Sequence, residues 1–221
     1  PGPDRSLSWW AENRSKRSVV ADLATAEGRQ LVADLIASAD VVLESTEAGH
    51  LADLGLDHDQ TSVANADLIH VAITPFGRDG VGGTHNHTDL TILARGGPMW
   101  SNGYDDHDLA PMRGRGNQAI RTASHFAVMS TLTALLARGR HGGQFVDVSM
   151  VAAQNVTTEF GSYGWLSAQE TVQRQTGRHA TPRPSEPTQV LCGDGRYLNT
   201  GVPPRTGREF TALLQWLRDL G

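Results

Sequence analysis

Apolar residues in this chain occur either in short continuous runs or at helical spacing. They recur at helical spacing at Leu31, Val32, Leu35 and Ile36, which predicts a helix that starts at Ala26 and that Thr25 caps. Short β-branched runs at Val19–Leu23 and Val41–Leu43 flank this helix and predict strands. Strand, helix and strand together indicate a parallel βαβ unit with a right-handed crossover.

The alternation of strand and helix patterns continues to about residue 160. We predict strands at Leu68–Ile73 and Gln144–Ser149, and helices that begin at Asp89, Ala119 and Met150. The long helix over residues 119–138 carries small residues on one face, which permits close packing; they are Ala123, Ala127, Ser130 and Ala134. The fold class is therefore expected to be α/β.

The composition changes at residue 167. Residues 167–187 are rich in Gln, Arg, Thr and Pro and have no apolar period, which predicts a linker. Two short strands and a helix from about Arg208 follow. We predict a large domain over residues 1–166, the linker over 167–187, and the start of a small α+β domain over 188–221.

The formal net charge of −5 and a pI near 6.0 give no global support to nucleic-acid binding. No apolar run approaches the ~18 residues of a membrane-spanning helix, so we expect no membrane partner. Cys192 is the only cysteine, which excludes an intrachain disulfide and makes a reducing, cytoplasmic location the expectation. The sequence starts at Pro1 without Met, and we expect it to lie within a longer protein.

The sharpest local cluster of metal-type ligands is His85-Asn-His87-Thr-Asp89. Two imidazoles and a carboxylate at this spacing suit zinc, so a zinc hydrolase is one alternative. The other interpretation is a glycine-rich loop with two exposed histidines, in which Asp89 is the N-cap of the following helix. We favour the second interpretation and expect no metal.

Five segments follow one another in a characteristic order. They are Asn13–Arg29 (NRSKRSVVADLATAEGR), Ala39–Glu44 (ADVVLE) with Gly49 and Leu54–Leu56, Ile73–Gly80 (ITPFGRDG), Ala134–Arg138 (ALLAR) with Gly143–Met150 (GQFVDVSM), and Asp194–Leu198 (DGRYL). Together they resemble class III coenzyme A transferases of the CaiB/BaiF type, a family that includes formyl-CoA transferase-like enzymes and is related to α-methylacyl-CoA racemases.

The resemblance implies a Rossmann-like large domain, a small domain, and an interlocked dimer in which each chain threads through the other. It implies an enzyme whose substrates are an acyl-CoA and a carboxylic acid, with no permanently bound cofactor. In such enzymes a carboxylate attacks the acyl-CoA thioester, and covalent intermediates divide one hard transfer into easier steps.

The sequence departs from the family at the nucleophile. The family's Asp belongs to a motif similar to ADLTAG at the start of the long helix, and the gapless match here is Ala119-Ile120-Arg-Thr-Ala-Ser124. Ile120 has no ionisable group and cannot form an anhydride. The related racemases add a His at the position of Thr88, and His87 lies beside it.

The CoA-binding residues are expected, from the same resemblance, in several separate segments. They are Leu23, Ala24, Ser45, Thr46 and Met150, with the basic residues Arg14 and Lys16 available to phosphates. Backbone amides near the first four could hold adenine or phosphate without help from side chains. Glu47 and Asp53 stand in a segment that is often basic in the family, and an acid there repels phosphate by about 1 kcal/mol or more per close pair.

Other carboxylates are weak substitutes for the missing nucleophile, since attack requires placement to ~3 Å. They are Asp89, Asp105, Asp106 and Asp108. Three functions therefore stay open: a CoA transferase, a non-catalytic transferase-like subunit or half that pairs with an active homologue, and the zinc hydrolase that would use His85, His87 and Asp89.

Overall fold

The computed structural model describes residues 6–80, 87–183, 189–199 and 204–221. The helices are α1 (Leu7–Glu12), α2 (Ala26–Ala37), α3 (His50–Asp53), α4 (His58–Thr61), α5 (Asp89–Gly96), α6 (Pro98–Ser101), α7 (Gln118–His141), α8 (Met150–Val156), α9 (Glu159–Ala168) and α10 (Gly207–Leu220). The strands are β1 (Val41–Glu44), β2 (Ile69–Thr74), β3 (Gln144–Ser149), β4 (Gln173–Gln175), β5 (Arg178–Thr181), β6 (Gln189–Leu191) and β7 (Tyr197–Asn199).

The chain divides into two compact units, residues 1–72 with 130–146 and residues 73–129 with 147–221. None of the helices in the described ranges is long and apolar enough to cross a membrane.

A three-stranded sheet with the order β1-β2-β3 confirms the expected α/β class. Strands β1 and β2 pair in parallel, with Val41 opposite Ile69. At the start of β3 the amide of Gln144 donates to the carbonyl of Leu68, 3.0 Å away at the start of β2, so β3 runs in the same direction. All six residues of the central strand β2 are buried, as expected for a strand covered on both faces.

The core of the first unit forms around Ile36, Leu56 and Leu68. Helix α2 packs Ile36 and Val32 into this cluster, whereas Leu31 and Leu35, which belong to the same predicted apolar spacing, are exposed. The Thr25 hydroxyl accepts from the amide of Gly28 at 3.0 Å, which confirms the predicted cap. Partly buried neighbours complete the cluster; they are Leu23, Val32, Ala33, Val42, Leu51 and Leu54.

The strand predicted at Val19–Leu23 is wrong, because this run is irregular and ends in a turn. The Asp22 side chain accepts from the amide of Ala24 at 3.0 Å, and the Thr25 hydroxyl donates to the Asp22 carbonyl at 2.8 Å. Such local side-chain bonds offer the backbone an alternative to strand pairing. The parallel β1–β2 pair, with α3 and α4 between its strands, therefore supplies the βαβ unit.

The segment predicted as a linker contains a β-hairpin, because β4 and β5 pair antiparallel between Gln173 and Thr181. The hairpin has no apolar alternation since Arg174 and Gln175, both polar, are the buried residues of β4. The predicted helix over residues 150–160 is also interrupted. At Thr157 and Thr158 the hydroxyls donate to carbonyls three residues back and separate α8 from α9.

The predicted strands and helix near the end of the chain are confirmed. Strands β6 and β7 form an antiparallel hairpin, and α10 begins after Thr206, whose hydroxyl accepts from the amide of Glu209 in a capping box. The division into a large domain, a linker and a small domain stays a prediction.

Candidate active site

The first turn of α7 is held by a carboxylate from another helix. One Asp89 oxygen accepts from the amide of Ala119 at 2.7 Å, and the other accepts from Nη1 of Arg113 at 3.0 Å. The N-cap of α5 is Thr88, so the expectation that Asp89 caps its own helix is wrong. Asp89 instead satisfies a free amide at the start of α7, where a negative charge is also favoured by the helix dipole.

Ile120 lies at this same helix start, as the third residue of α7. Its side chain is partly buried, and its carbonyl accepts from the hydroxyl of Ser124 at 2.7 Å. Of the small residues predicted to pack closely, Ala123, Ala127 and Ala134 are buried and Ser130 is partly buried. The position that matches the family nucleophile therefore directly follows the residue whose amide bonds to Asp89, but it has no titratable group.

A buried glutamine packs below the same helix start. Gln154 of α8 is only 2% exposed, and its Nε2 lies 3.3 Å from the carbonyl of Gln118 and 3.4 Å from that of Ala119. Helix α5 approaches helix α8 closely because Gly96 of α5 has no side chain. A Cβ at Gly96 would lie 2.4 Å from the Cβ of Gln154. Sequence reasoning missed Gln154, although a glutamine inside the predicted helix was an available signal.

An open cavity of about 280 Å³ adjoins this region. Its polar lining includes Arg113, Gln118 and Gln154, and its apolar lining includes Met99 and Met112. The remaining lining residues are Leu93, Pro98, Asn102, Gly114, Thr122 and Thr157. Every lining residue belongs to the second compact unit.

Two of the family-like segments meet where β2 and β3 end. The Asp147 carboxylate accepts from the amide of Arg78 at 2.8 Å, and the amide of Val151 donates to the carbonyl of Pro75 at 3.0 Å. Gly77 permits this contact with a φ of +83°, and a Cβ there would lie 3.2 Å from the Asp147 carboxylate. Asp147 was not singled out from the sequence, because its partner is 69 residues away.

Two of the loop acids considered as substitute nucleophiles, Asp105 and Asp106, already accept hydrogen bonds. Asp105 forms a bidentate pair with Nη2 of Arg178 at 2.7 and 2.8 Å. Asp106 accepts from the amide of Asp108 at 2.9 Å, and both residues are exposed. These contacts give Asp105 and Asp106 structural roles in the loop before α7.

Backbone amides expected to bind CoA already bond to carboxylates of this chain. The amide of Ala24 donates to Asp22 at 3.0 Å, and the amide of Thr46 donates to Glu44 at 3.0 Å. The hydroxyl of Thr46 donates to the same Glu44 carboxylate. Leu23 packs against the core of the first unit. A phosphate at these amides would have to displace Asp22 and Glu44.

The other residues expected to contact CoA lie at exposed or partly exposed positions. Arg14 and Lys16 are exposed, and Nζ of Lys16 donates to the side chain of Asn13 at 3.1 Å. Met150 is the first residue of α8, and the Ser149 hydroxyl before it caps that helix. The role of each in CoA binding stays a prediction.

No group of three potential metal ligands occurs in residues 6–80, 87–183, 189–199 and 204–221. His85, the first residue of the proposed zinc cluster, lies outside these ranges. His87 is exposed, and both oxygens of Asp89 are bonded within the protein. Nothing in the described residues supports the zinc hydrolase.

Comparisons with known proteins agree with the resemblance of the segments. The chain is 32% identical over 222 residues to the succinyl-CoA:(R)-benzylsuccinate CoA-transferase subunit BbsE of Thauera aromatica, covering 100% of this chain and 52% of that protein. It is 32% identical over 187 residues to a succinate–glutarate CoA-transferase of Agrobacterium fabrum, covering 84% of this chain and 46% of that protein.

A solved structure shares the fold. A CAIB/BAIF family protein from Brucella suis superposes with a TM-score of 0.69 at 32% identity, over 74% of this chain and 43% of that one. The chain thus spans about half the length of the relatives it matches. The family model described as CoA-transferase family III matches residues 2–217. This chain belongs to CoA-transferase family III.

Proposed function

We propose that this chain works in an enzyme that moves CoA between an acyl-CoA and a carboxylic acid. The family match over residues 2–217 carries the proposal, and two relatives bear the names of transfers between carboxylic acids. Acyl-CoA is then a substrate, with no permanently bound cofactor. The sole cysteine is compatible with a reducing, cytoplasmic location.

The transfer requires a carboxylate that forms and breaks covalent bonds. Its oxygen attacks the thioester carbonyl, and the C–S bond breaks. CoA is released as a thiolate, and the acyl group stays on the enzyme carboxylate as a mixed anhydride. The thiolate then attacks the enzyme's own carbonyl carbon, which releases the first acid and leaves an enzyme–CoA thioester. The acceptor carboxylate attacks that thioester to give a new anhydride, and the thiolate returns to form the product acyl-CoA and the free enzyme carboxylate.

Ile120 is the observation that defines the part of this chain in that reaction. An aliphatic side chain at the start of α7 cannot attack a thioester, so the chain by itself lacks the expected nucleophile. We propose that it is the non-catalytic member of a pair with a homologue that has Asp at the matching position. An interlocked dimer is the expected form of the pair, and the word "subunit" in the name of the Thauera relative supports such an arrangement.

The nearby acids give less support to a substitute nucleophile in this chain. Asp89 is bonded through both oxygens, and its side chain is only 16% exposed. Asp105 is held by Arg178. A carboxylate whose oxygens already accept hydrogen bonds from fixed donors would have to leave those donors before it could attack a thioester.

The experiment locates the covalent CoA adduct. The full-length protein and a genomic-neighbour homologue with the intact Asp are purified together, incubated with a panel of acyl-CoA donors, and analysed by intact-mass spectrometry with and without acceptor acid. We expect the CoA mass on the homologue alone, and CoA exchange that disappears when the Asp of that homologue is replaced by Asn. A CoA adduct on this chain contradicts the non-catalytic role, and the absence of any exchange or adduct with every donor contradicts CoA transfer.

A further inference from the structure

The cavity beside the start of α7 contains a cation whose hydrogen-bonding capacity is only partly used. Arg113 lines the cavity, and its contacts to Asp89 at 3.0 Å and to the carbonyl of Gly116 at 3.1 Å both use Nη1. Nε and Nη2 thus have no partner among the described residues, and the side chain is 46% exposed. A guanidinium edge with two free donors matches the two oxygens of a carboxylate.

The charge of Asp89 does not prevent an anion from binding here. One of its oxygens pairs with Arg113 and the other with the amide of Ala119, at the helix end where the dipole is positive. The other polar side chains on the lining are neutral; they are Asn102, Gln118, Thr122, Gln154 and Thr157.

Part of the lining is apolar. Leu93, Met99 and Met112 line the same cavity, and methionine adapts its shape to irregular ligands. A volume of about 280 Å³ is near the lower limit of small-molecule sites. A cavity with a few convergent polar groups and an apolar surface suits a small amphiphilic ligand.

We propose that this cavity binds a small carboxylic acid, with its carboxylate on Arg113 and its hydrocarbon part against Leu93, Met99 and Met112. The proposal rests on the proposed function and adds to it. A chain without a nucleophile still selects the acid or acyl group of the reaction, and Arg113 is the residue that recognises the carboxylate.

Direct binding tests this without any CoA transfer. The full-length protein is titrated by calorimetry with 3-phenylpropanoate and, as a neutral control, with 3-phenylpropanamide. We expect saturable binding of the acid and at least tenfold weaker binding of the amide. Arg113→Gln is expected to weaken binding of the acid by about tenfold or more, because the charge-assisted hydrogen bonds to its carboxylate are lost.

Two further variants separate recognition from folding. Arg115→Gln removes the same charge from an exposed neighbouring residue that does not line the cavity, and binding should be unchanged. Gln118→Glu places a negative charge on the lining in the first turn of α7, where an acid favours the helix, and acid binding should be lost while the unfolding midpoint is retained.

Equal loss of affinity in Arg113→Gln and Arg115→Gln would overturn the proposal, as would equal affinity for acid and amide or no saturable binding of the acid. Acid binding without CoA exchange in the presence of the homologue would leave this inference standing and contradict the proposed function. CoA exchange without acid binding to this chain would leave the proposed function standing and overturn this inference.

Discussion

The Asp89 carboxylate accepts a hydrogen bond from the amide of Ala119 across 2.7 Å, and these two residues are 30 positions apart in the sequence. This bond joins the start of α5 to the start of α7, beside the position where family members are expected to have their nucleophile. Because Arg113 pairs with the second oxygen, one carboxylate positions both the helix and the loop before it.

We predict that Asp89→Asn lowers the free energy of unfolding by about 1–3 kcal/mol, because hydrogen bonds to a charged group contribute about that much. Urea unfolding followed by circular dichroism measures the change. Asp106→Asn is the matched control, since among the described residues the Asp106 carboxylate accepts from the amide of Asp108 alone, in an exposed turn. If the two variants lose equal stability, the bond to α7 has no special role.

The three strands of the parallel sheet and the Thr25 cap of α2 could be predicted from the sequence, whereas the long-range polar contacts could not. Strand β3 over Gln144–Ser149 and the Thr25 cap depend on neighbouring residues. The bond from Asp89 to Ala119, and the hairpin that buries Arg174, depend on partners dozens of residues away. A periodicity analysis detects apolar faces, so an element whose buried residues are polar gives it no signal.

The candidate site was predicted in the same uneven way. The segment around Ile120 was located because its neighbours resemble a motif of the family. Arg113 and Gln154 were missed because one is a polar loop residue and the other lies in a short helix, and only packing brings them to the same cavity.

A second prediction concerns Gly143, at the start of β3. A Cβ there would lie 2.4 Å from the Leu68 carbonyl and 2.7 Å from that of Ala66, so Gly143→Ala should destabilise the protein by about 1–3 kcal/mol through overpacking. Gly139→Ala in α7 is the control, because a Cβ there meets nothing within 4 Å. The control should be stabilising by about 0.5–1 kcal/mol. Thermal unfolding of both variants provides the comparison, and a neutral Gly143→Ala would refute the close approach of these backbones.

A third prediction concerns Arg174, which fixes the loop before α7. Its guanidinium donates to the carbonyls of Tyr104, His107 and Leu109 at 3.1, 3.1 and 2.7 Å, and the residue is 6% exposed. Arg174→Met keeps an unbranched side chain but removes every donor, and we expect a loss of about 2–3 kcal/mol. Hydrogen exchange should accelerate over residues 104–109.

Arg183→Met is the control for Arg174→Met. The side chain of Arg183 is 89% exposed, and its nearest acid is 3.8 Å away, so its removal should change stability by less than about 0.5 kcal/mol. Unchanged exchange over residues 104–109 in Arg174→Met would show that the loop is held by other contacts.

The last prediction concerns the acids after β1 and depends on CoA being a substrate. Glu44 already bonds to the amide of Thr46, and Glu47 is exposed in the segment that follows. Glu47→Arg replaces repulsion of phosphate by attraction. At about 1 kcal/mol for each of these two effects per close pair, the change is about 2 kcal/mol, and we expect CoA affinity to rise by roughly thirtyfold. Binding of CoA to the full-length protein at low and high salt measures this, and the gain should shrink as salt screens the charges.

Asp34→Arg reverses one charge on an exposed position of α2 and should leave affinity unchanged. Equal gains in both variants would indicate a general charge effect, and no gain in Glu47→Arg would place the phosphates elsewhere.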